Sequence, residues 1–486
     1  MSKPSIGRDL SEGSIPRHLL AVAMPMLLGN LLNTSYSIVD AIWIGRIIGT
    51  EAIGAVAVSF PITFLFVGVA SGATMASTIL ISQYYGAKNY EEVSKTVGTS
   101  FGLSIILGVI LSVAGFLSAD SILKLMGTPG TILPLASSYL KISYMGFTII
   151  YLSFLVTSIL RGVGDTKTPL FFMAAGVVVN AILDPFMIIG IWPFPPLGLK
   201  GAAFASIISS GVSLLTGIVY LNRKKSIVTL NIRGIISFNR KITSLIFKIG
   251  FPSMVQQSAV SLGMAAVTSF VNNFGEKATA AFGAAGRVDS MAFLPAMSIG
   301  MAVSVIAGQN LGAGKKERVF DTFRWGLLMT LCISAFFSVF FLIIPETMMS
   351  MFTTDQEVIS IGSTYLRIVG PSSLMFAVMF VSNGVINGAG HTMVTLMFTL
   401  LALWGIRVPS AAILSRSPLG ITGIWLSFTI GFAVIMTASL FYYRSGRWQK
   451  VVIHPVRGAS IVEIEAENAL NPLALDEPPD RGAAGV

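Results

Sequence analysis

Long apolar stretches follow one another along the chain, separated by short segments rich in Gly, Pro and charged residues. As a helix, about twenty mostly apolar residues cross the roughly 30 Å hydrocarbon core of a bilayer. Twelve stretches meet that length, near 18–44, 53–81, 96–118, 132–160, 168–192, 198–221, 242–274, 281–308, 322–344, 358–386, 392–414 and 419–443. Their unbroken runs predict helices, because the strands of a membrane barrel alternate apolar and polar over only about ten residues. Pro25, Pro61, Pro252, Pro295 and Pro371 fall inside spans, where neighbouring helices can satisfy the backbone groups a proline frees. The expected fold is all-α, a polytopic membrane protein of twelve transmembrane helices.

The pattern then repeats. GTEAIGA at Gly49 matches GEKATAA at Gly275, and QYYGAKNYEEV at Gln83 matches QNLGAGKKERV at Gln309. SSYLKI at Ser137 matches STYLRI at Ser363, and RGVGDTKT at Arg161 matches NGAGHTMV at Asn387. All four pairs are 226 residues apart, and Pro25 and Pro252 match with a slip of one. Each half holds six spans, an even number, so both enter the membrane from one side. Two six-helix lobes related by a pseudo-two-fold axis along the membrane normal follow, with a cavity between them. The expected divisions are an N-terminal segment 1–17, a first lobe 18–221, a basic linker 222–241, a second lobe 242–443 and a disordered tail 444–486.

Composition agrees with this reading. Only 11% of residues are charged and 53% are hydrophobic, with mean hydropathy +0.79, against about 25% charged in soluble domains. Lys and Arg concentrate in the segments on the side of the termini. Arg223, Lys224, Lys225, Arg233, Arg240, Lys241 and Lys248 sit between spans six and seven with no acid among them. The positive-inside rule then places both termini in the cytoplasm, and the chain is expected in the plasma membrane. The centre of that linker is expected to lie as a short surface helix. The net charge of +10 reflects topology and lipid contact, and no nucleic-acid partner is expected. The N-terminus has no charged, short-apolar, small-residue cleavage pattern, so no cleaved signal peptide is expected. The single cysteine, Cys332, excludes an intrachain disulfide and is expected to fill the core. His18, His391 and His454 are too scattered for a metal cluster.

Function is sought at acids inside spans, since a charge at the bilayer centre costs about 2.5–3.5 kcal/mol or more. Asp40, Asp184 and Asp289 are the three. Asn33, Tyr36 and Asp40 share one face of span one, and Asn180 and Asp184 share one face of span five just before Pro185. Two such faces can form one hydrated network that takes a proton, or a hard cation such as Na⁺ held by the oxygens of Asp40, Asp184 and Asn180. Asp289, near the end of span eight, is expected to pair structurally with Arg287. The offset places Ala266 or Val267 opposite Asp40, and span seven offers Gln256 and Gln257 but no acid. Coupling chemistry is therefore expected in the N-terminal lobe.

The segment PMLLGNLLNTSYSIVDAIWIG, then QYYGAKN, RGVGDTKTP, NAILDP, RVDSMAFLPAMSIGMAVSVIAGQNLGAG and NGAGHT resemble the multidrug and toxic compound extrusion (MATE) transporters across residues 15–445. The likeness is to the DinF-like branch, which has archaeal members. It implies a secondary active multidrug exporter, an antiporter of cationic or amphipathic organic compounds against H⁺ or Na⁺, working as a monomer without a cofactor. It implies Asp40 as coupling residue, with Tyr36, Asn180 and Asp184 as network partners and Asn33, Thr157 and Ser206 lining the substrate cavity. The absence of a span-seven glutamate argues against sodium coordination in the C-terminal lobe. A lipid or lipid-linked oligosaccharide flippase of related fold is the alternative, and would be expected to line its cavity with arginines. No nucleophile–base pair appears in the spans, so no enzyme is expected.

Overall fold

The computed structural model describes residues 7–223, 234–235, 238–451 and 453. The linker residues 224–233 and the tail from 454 lie outside the described residues, and with them the centre of the expected surface helix. Ten spans are single helices passing the length and apolarity expected of a membrane crossing: the first Ile15–Ile47, second Thr50–Gly86, third Tyr90–Leu125, fifth Lys167–Ile189, sixth Leu199–Arg223, seventh Arg240–Asn272, eighth Glu276–Gly312, ninth Lys316–Ile343, eleventh Thr392–Leu414 and twelfth Ile421–Arg444. The tenth, Gln356–Gly388, carries a 3₁₀ turn at Gly370–Ser372 around Pro371. The fourth is a pair, Leu133–Met145 and Phe147–Gly162, bent by 52°. The bend falls at Gly146, where a Cβ would run into Ile207 of the sixth span. No strand occurs among the described residues.

The outer surface is strongly apolar. Leu117, Leu125, Phe171, Ile343 and Phe441 are all exposed, a surface that water would not tolerate and lipid does. Cys332 belongs to it. It is exposed rather than buried in the core, as the apolar span around it serves lipid as readily as packing.

The two lobes share a core at one end only, the end from which the odd-numbered spans start. There the first half of span one (Leu19, Val22, Met26) packs with Ile299, Val303 and Ile306 of span eight. The first half of span seven (Ile242, Ile246, Ile249) packs with Ile79, Leu80 and Val97 of the N-terminal lobe. Towards the far end each span returns to its own lobe: Ile44 joins an N-terminal core, and Val267 and Val271 a C-terminal one. Below the shared end the chain does not fall into a loose tail at once. Trp448 is 0% exposed, lies over Tyr443 at 5.6 Å between ring centroids and donates to Tyr443 O at 2.8 Å. The tail expected from 444 is therefore packed through this segment, because a large aromatic ring finds a place in the shared core.

The eleventh span widens into a π turn over Leu400–Arg407, directly before Val408 and Pro409. A proline removes one donor from the helical ladder, and the wider turn accommodates the loss. Arg407 is the last residue of that turn and lies inside the lobe.

Candidate functional site

Spans one, four, five and six bring a polar cluster together in the half of the N-terminal lobe away from the shared end. Asp184 is 0% and Asn180 1% exposed. The Asn180 amide donates to Asp184 Oδ1 at 3.3 Å, as expected of residues one helical turn apart. Asp40 faces Asp184, the two carboxyls standing within hydrogen-bonding reach of one another. Tyr36 OH and Ser206 Oγ, on spans one and six, share a hydrogen bond of 2.6 Å. Tyr139 of the bent fourth span adjoins Asp40, Tyr36 and Asp184 electrostatically.

Three oxygens in this cluster are sealed from solvent without a hydrogen-bond partner among the described residues: Asp40 Oδ1, Asp184 Oδ2 and Asn180 Oδ1. All three accept, and an ionised carboxylate has no proton to give. Two carboxylates held face to face in a region of low dielectric repel strongly. One proton shared between them, or one small cation among the three oxygens, turns that repulsion into attraction. Pro185 directly follows Asp184 and lies inside the fifth span.

Of the residues expected from sequence, Asp40, Asp184, Tyr36, Asn180 and Ser206 are thus brought together. Thr157 turns its hydroxyl onto its own helix, donating to Ser153 O at 3.1 Å. Asn33 is exposed, two turns before Asp40, and its carbonyl accepts from Ser37 Oγ at 3.1 Å. Tyr139 escaped the sequence reading. Its signal was the SSYLKI motif, whose repeat puts Tyr365 in the same place of the other lobe.

Asp289 differs from expectation. Among the described residues it forms no ion pair with Arg287, which is exposed. Span eight begins at Glu276, so Asp289 sits about 20 Å inside it rather than near its end. There it accepts from Tyr365 OH at 3.5 Å and feels the charge of Arg407. Gln256 donates to Thr399 Oγ1 at 2.8 Å, an internal bond between spans seven and eleven.

The shared end is closed by a two-fold related pair of glutamines. Gln83 Nε2 donates to Gly388 O at 2.7 Å, and Gln309 Nε2 donates to Gly162 O at 3.2 Å. Donors and acceptors are each 226 residues apart, so the bonds are images of one another across the lobes. Gly86 and Gly312 let the helix ends touch: a Cβ on Gly86 would overlap Gln309 O, and one on Gly312 would overlap Gln83 O. The N-terminal segment breaks the symmetry. Arg8 N donates to Val163 O at 2.8 Å, Leu10 N to Gln309 Oε1 at 2.9 Å, and Arg318 to Gly13 O at 3.0 Å. Both amide heteroatoms of Gln309 thereby have a partner, whereas Gln83 Oε1 is sealed without one among the described residues.

Comparison with known proteins accords with this architecture. The MatE family profile matches the chain twice, at residues 25–186 and 252–413, one match in each half. The probable multidrug resistance protein YoeA of Bacillus subtilis is 33% identical over 445 residues, covering 91% of this chain and 96% of that one. YpnP of the same organism, likewise named a probable multidrug resistance protein, is 32% identical over 441 residues, 91% of this chain and 97% of that one. A solved structure described as the outward-facing conformation of a multidrug resistance MATE family transporter superposes with a TM-score of 0.84 at 24% identity, covering 91% of this chain and 98% of that one. A duplicated twelve-span bundle and a family profile matched in both halves lead to one assignment: the chain belongs to the MatE family of membrane transporters.

Proposed function

We propose that the chain is a secondary active exporter of cationic or amphipathic organic compounds, exchanging them for H⁺ or Na⁺ across the plasma membrane with both termini in the cytoplasm. The observation that carries this is the pair of facing carboxyls, Asp40 and Asp184, whose sealed oxygens have no donor among the described residues. An incoming cation neutralises the pair, and an organic cation competes for the same negative charge. Only one can be satisfied at a time, which is the condition for exchange. Tyr36, Asn180, Ser206 and Tyr139 orient the two acids, and Asn33 supplies a polar face towards the substrate. The names of the Bacillus subtilis relatives support multidrug substrates. The glutamine latches supply the other requirement of alternating access: a closed end whose bonds can be exchanged for water when the lobes rock. The first lobe, the basic linker and the second lobe then act as two rigid bodies and a hinge, with lipid around a single copy of the chain.

The test is efflux of a fluorescent organic cation from proteoliposomes under an imposed pH or sodium gradient, each applied alone. One of the two gradients drives efflux in the parent, and Asp40→Asn abolishes that response. Efflux that ignores both gradients, or survives Asp40→Asn undiminished, refutes the proposal.

A further inference from the structure

The C-terminal lobe contains a charged cluster that the exchange cycle above does not use. Tyr365 is the exact repeat of Tyr139, 226 residues on. Each tyrosine comes from the fourth span of its lobe and adjoins the charged groups buried there. In the N-terminal lobe the fifth span supplies Asp184, just before Pro185. In the C-terminal lobe the corresponding eleventh span supplies Arg407, two residues before Pro409. The repeat places Ser410, not an acid, opposite Asp184, and the charge this span brings to the core is Arg407, one helical turn earlier.

Arg407 is only 8% exposed. Its guanidinium lies over Phe432 at 4.0 Å and over Phe428 at 4.7 Å from the ring centroids, and its Nε is sealed without a hydrogen-bond partner among the described residues. It has room because Gly431 has no Cβ: one built there would lie 3.0 Å from Arg407 Nε. Asp289 Oδ1 is sealed in the same way, while Tyr365 OH reaches its other oxygen. Yet Asp289 and Arg407 form no ion pair. Among the described residues, Tyr365 and Arg407 are the groups that act on the Asp289 carboxyl, and the rest of this core is apolar. Span seven contributes Val267 and Val271, span twelve Trp425 and Phe428, and the neighbouring ring on span eight is Phe282. Arg287, on the same helix as Asp289, is exposed.

Opposite charges held in one apolar pocket attract strongly and close into contact. Arginine does not give up its proton in a protein, so an open arrangement means that the carboxyl is the neutral partner. We infer that Asp289, Tyr365 and Arg407 form a second proton-carrying site: a proton on Asp289 keeps it apart from Arg407, and loss of that proton closes the two into an ion pair that draws span eight towards span eleven. The chemistry is the addition of H⁺ to a carboxylate oxygen and its removal, with no other bond made or broken. The charged neighbour of Asp289 is the Arg407 guanidinium, which repels a metal cation, so the site takes a proton and not sodium. The π turn ending at Arg407 gives span eleven the slack for the movement. The consequence for exchange rests on the function proposed above; the proton site does not.

The experiment is pH-difference infrared spectroscopy of the full chain in lipid, in the double variant Asp40→Asn/Asp184→Asn, which silences the N-terminal cluster. Apart from the absorption of the exposed carboxyls common to all variants, a titrating band at the frequency of a buried protonated carboxyl is expected to remain, to vanish with Asp289→Asn and to return with Asp289→Glu. With Arg407→Gln that band is expected to persist to higher pH, by tenfold or more in proton concentration, since no guanidinium is left to pair with the ionised form. In the otherwise unaltered chain, Asp289→Asn lowers the number of protons moved per organic cation by one. The proposal is overturned if no titrating band of a buried carboxyl remains in the double variant. It is equally overturned if Asp289→Asn leaves the band in place, or if Arg407→Gln leaves its titration unchanged. The Asp289→Glu variant retains a carboxyl, so poor folding of the Asn variant does not remove the test. Failure of the N-terminal exchange site would show instead as undiminished efflux in Asp40→Asn, a separate result.

Discussion

Gln309→Leu and Gln83→Leu probe the closed end, and the structure predicts that they differ. Leucine is close in size but offers no amide. Removing the Gln309 amide strands Gly162 O and Leu10 N, which it bonds at 3.2 and 2.9 Å. Each buried group left unpaired costs about 1–3 kcal/mol, so the closed state loses about 3 kcal/mol, roughly a hundredfold in the closed-to-open ratio. In the open state water satisfies the same groups, and the loss falls on the closed state alone. Removing the Gln83 amide strands only Gly388 O, and also removes Gln83 Oε1, which was already sealed and unpartnered. The net loss is about 1 kcal/mol, roughly fivefold. Spin labels at Lys88→Cys and Lys316→Cys, both exposed at this end on opposite lobes, in a Cys332→Ser background, report the two populations by pulsed dipolar spectroscopy. A greater shift to long distances for Gln309→Leu than for Gln83→Leu is expected. Equal shifts, or a greater one for Gln83→Leu, refute the role assigned to the N-terminal segment.

Three other outcomes follow from the same geometry. Gly312→Ala pushes a methyl into Gln83 O and costs the closed state about 1–3 kcal/mol, read by the same label pair. Tyr139→Phe removes a hydroxyl beside Asp40 and Asp184 and slows cation-driven efflux about tenfold, the size of one polar interaction with a charged group. Tyr144→Phe, whose hydroxyl is sealed without a partner among the described residues, leaves the efflux rate unchanged and serves as its control. Trp448→Ala empties a buried aromatic site and costs about 3–5 kcal/mol; thermal unfolding in detergent shows a lower midpoint, or the packing assigned to this segment is wrong.

The span count and the repeat were legible because a bilayer imposes a length and a polarity on every crossing, and twelve runs satisfied both. Asp40, Tyr36, Asn180 and Asp184 were legible for a related reason: charges are so scarce inside these runs that two on matching faces attract notice. Tyr139 and Tyr365 were less visible, since a tyrosine in a mixed segment also suits a membrane surface, and only their shared place in the repeat marks them. Arg407 was hidden by its position towards the end of an apolar run, where a basic side chain usually reaches for water. The π turn ahead of Pro409 aims it inward instead. The bonds from Gln83 to Gly388 and from Gln309 to Gly162 join residues 305 and 147 apart. Nothing local in either motif announces such partners, although the equal spacing of the two pairs becomes plain once one bond is known.

Proton release on substrate binding shows whether the facing carboxyls carry the exchange. Purified protein in weakly buffered detergent, titrated with an organic cation of fixed charge and followed by a pH electrode in sodium-free solution, counts the protons displaced from the facing carboxyls. If H⁺ is the coupling ion, the N-terminal pair contributes close to one proton per cation bound, and Asp184→Asn removes that one proton from the count whatever Asp289 releases. If Na⁺ is the ion, the same displacement appears as release of bound radioactive sodium and disappears in the same variant. Binding of the organic cation that displaces neither ion, or a release undiminished in both Asp40→Asn and Asp184→Asn, shows that the facing carboxyls do not carry the exchange.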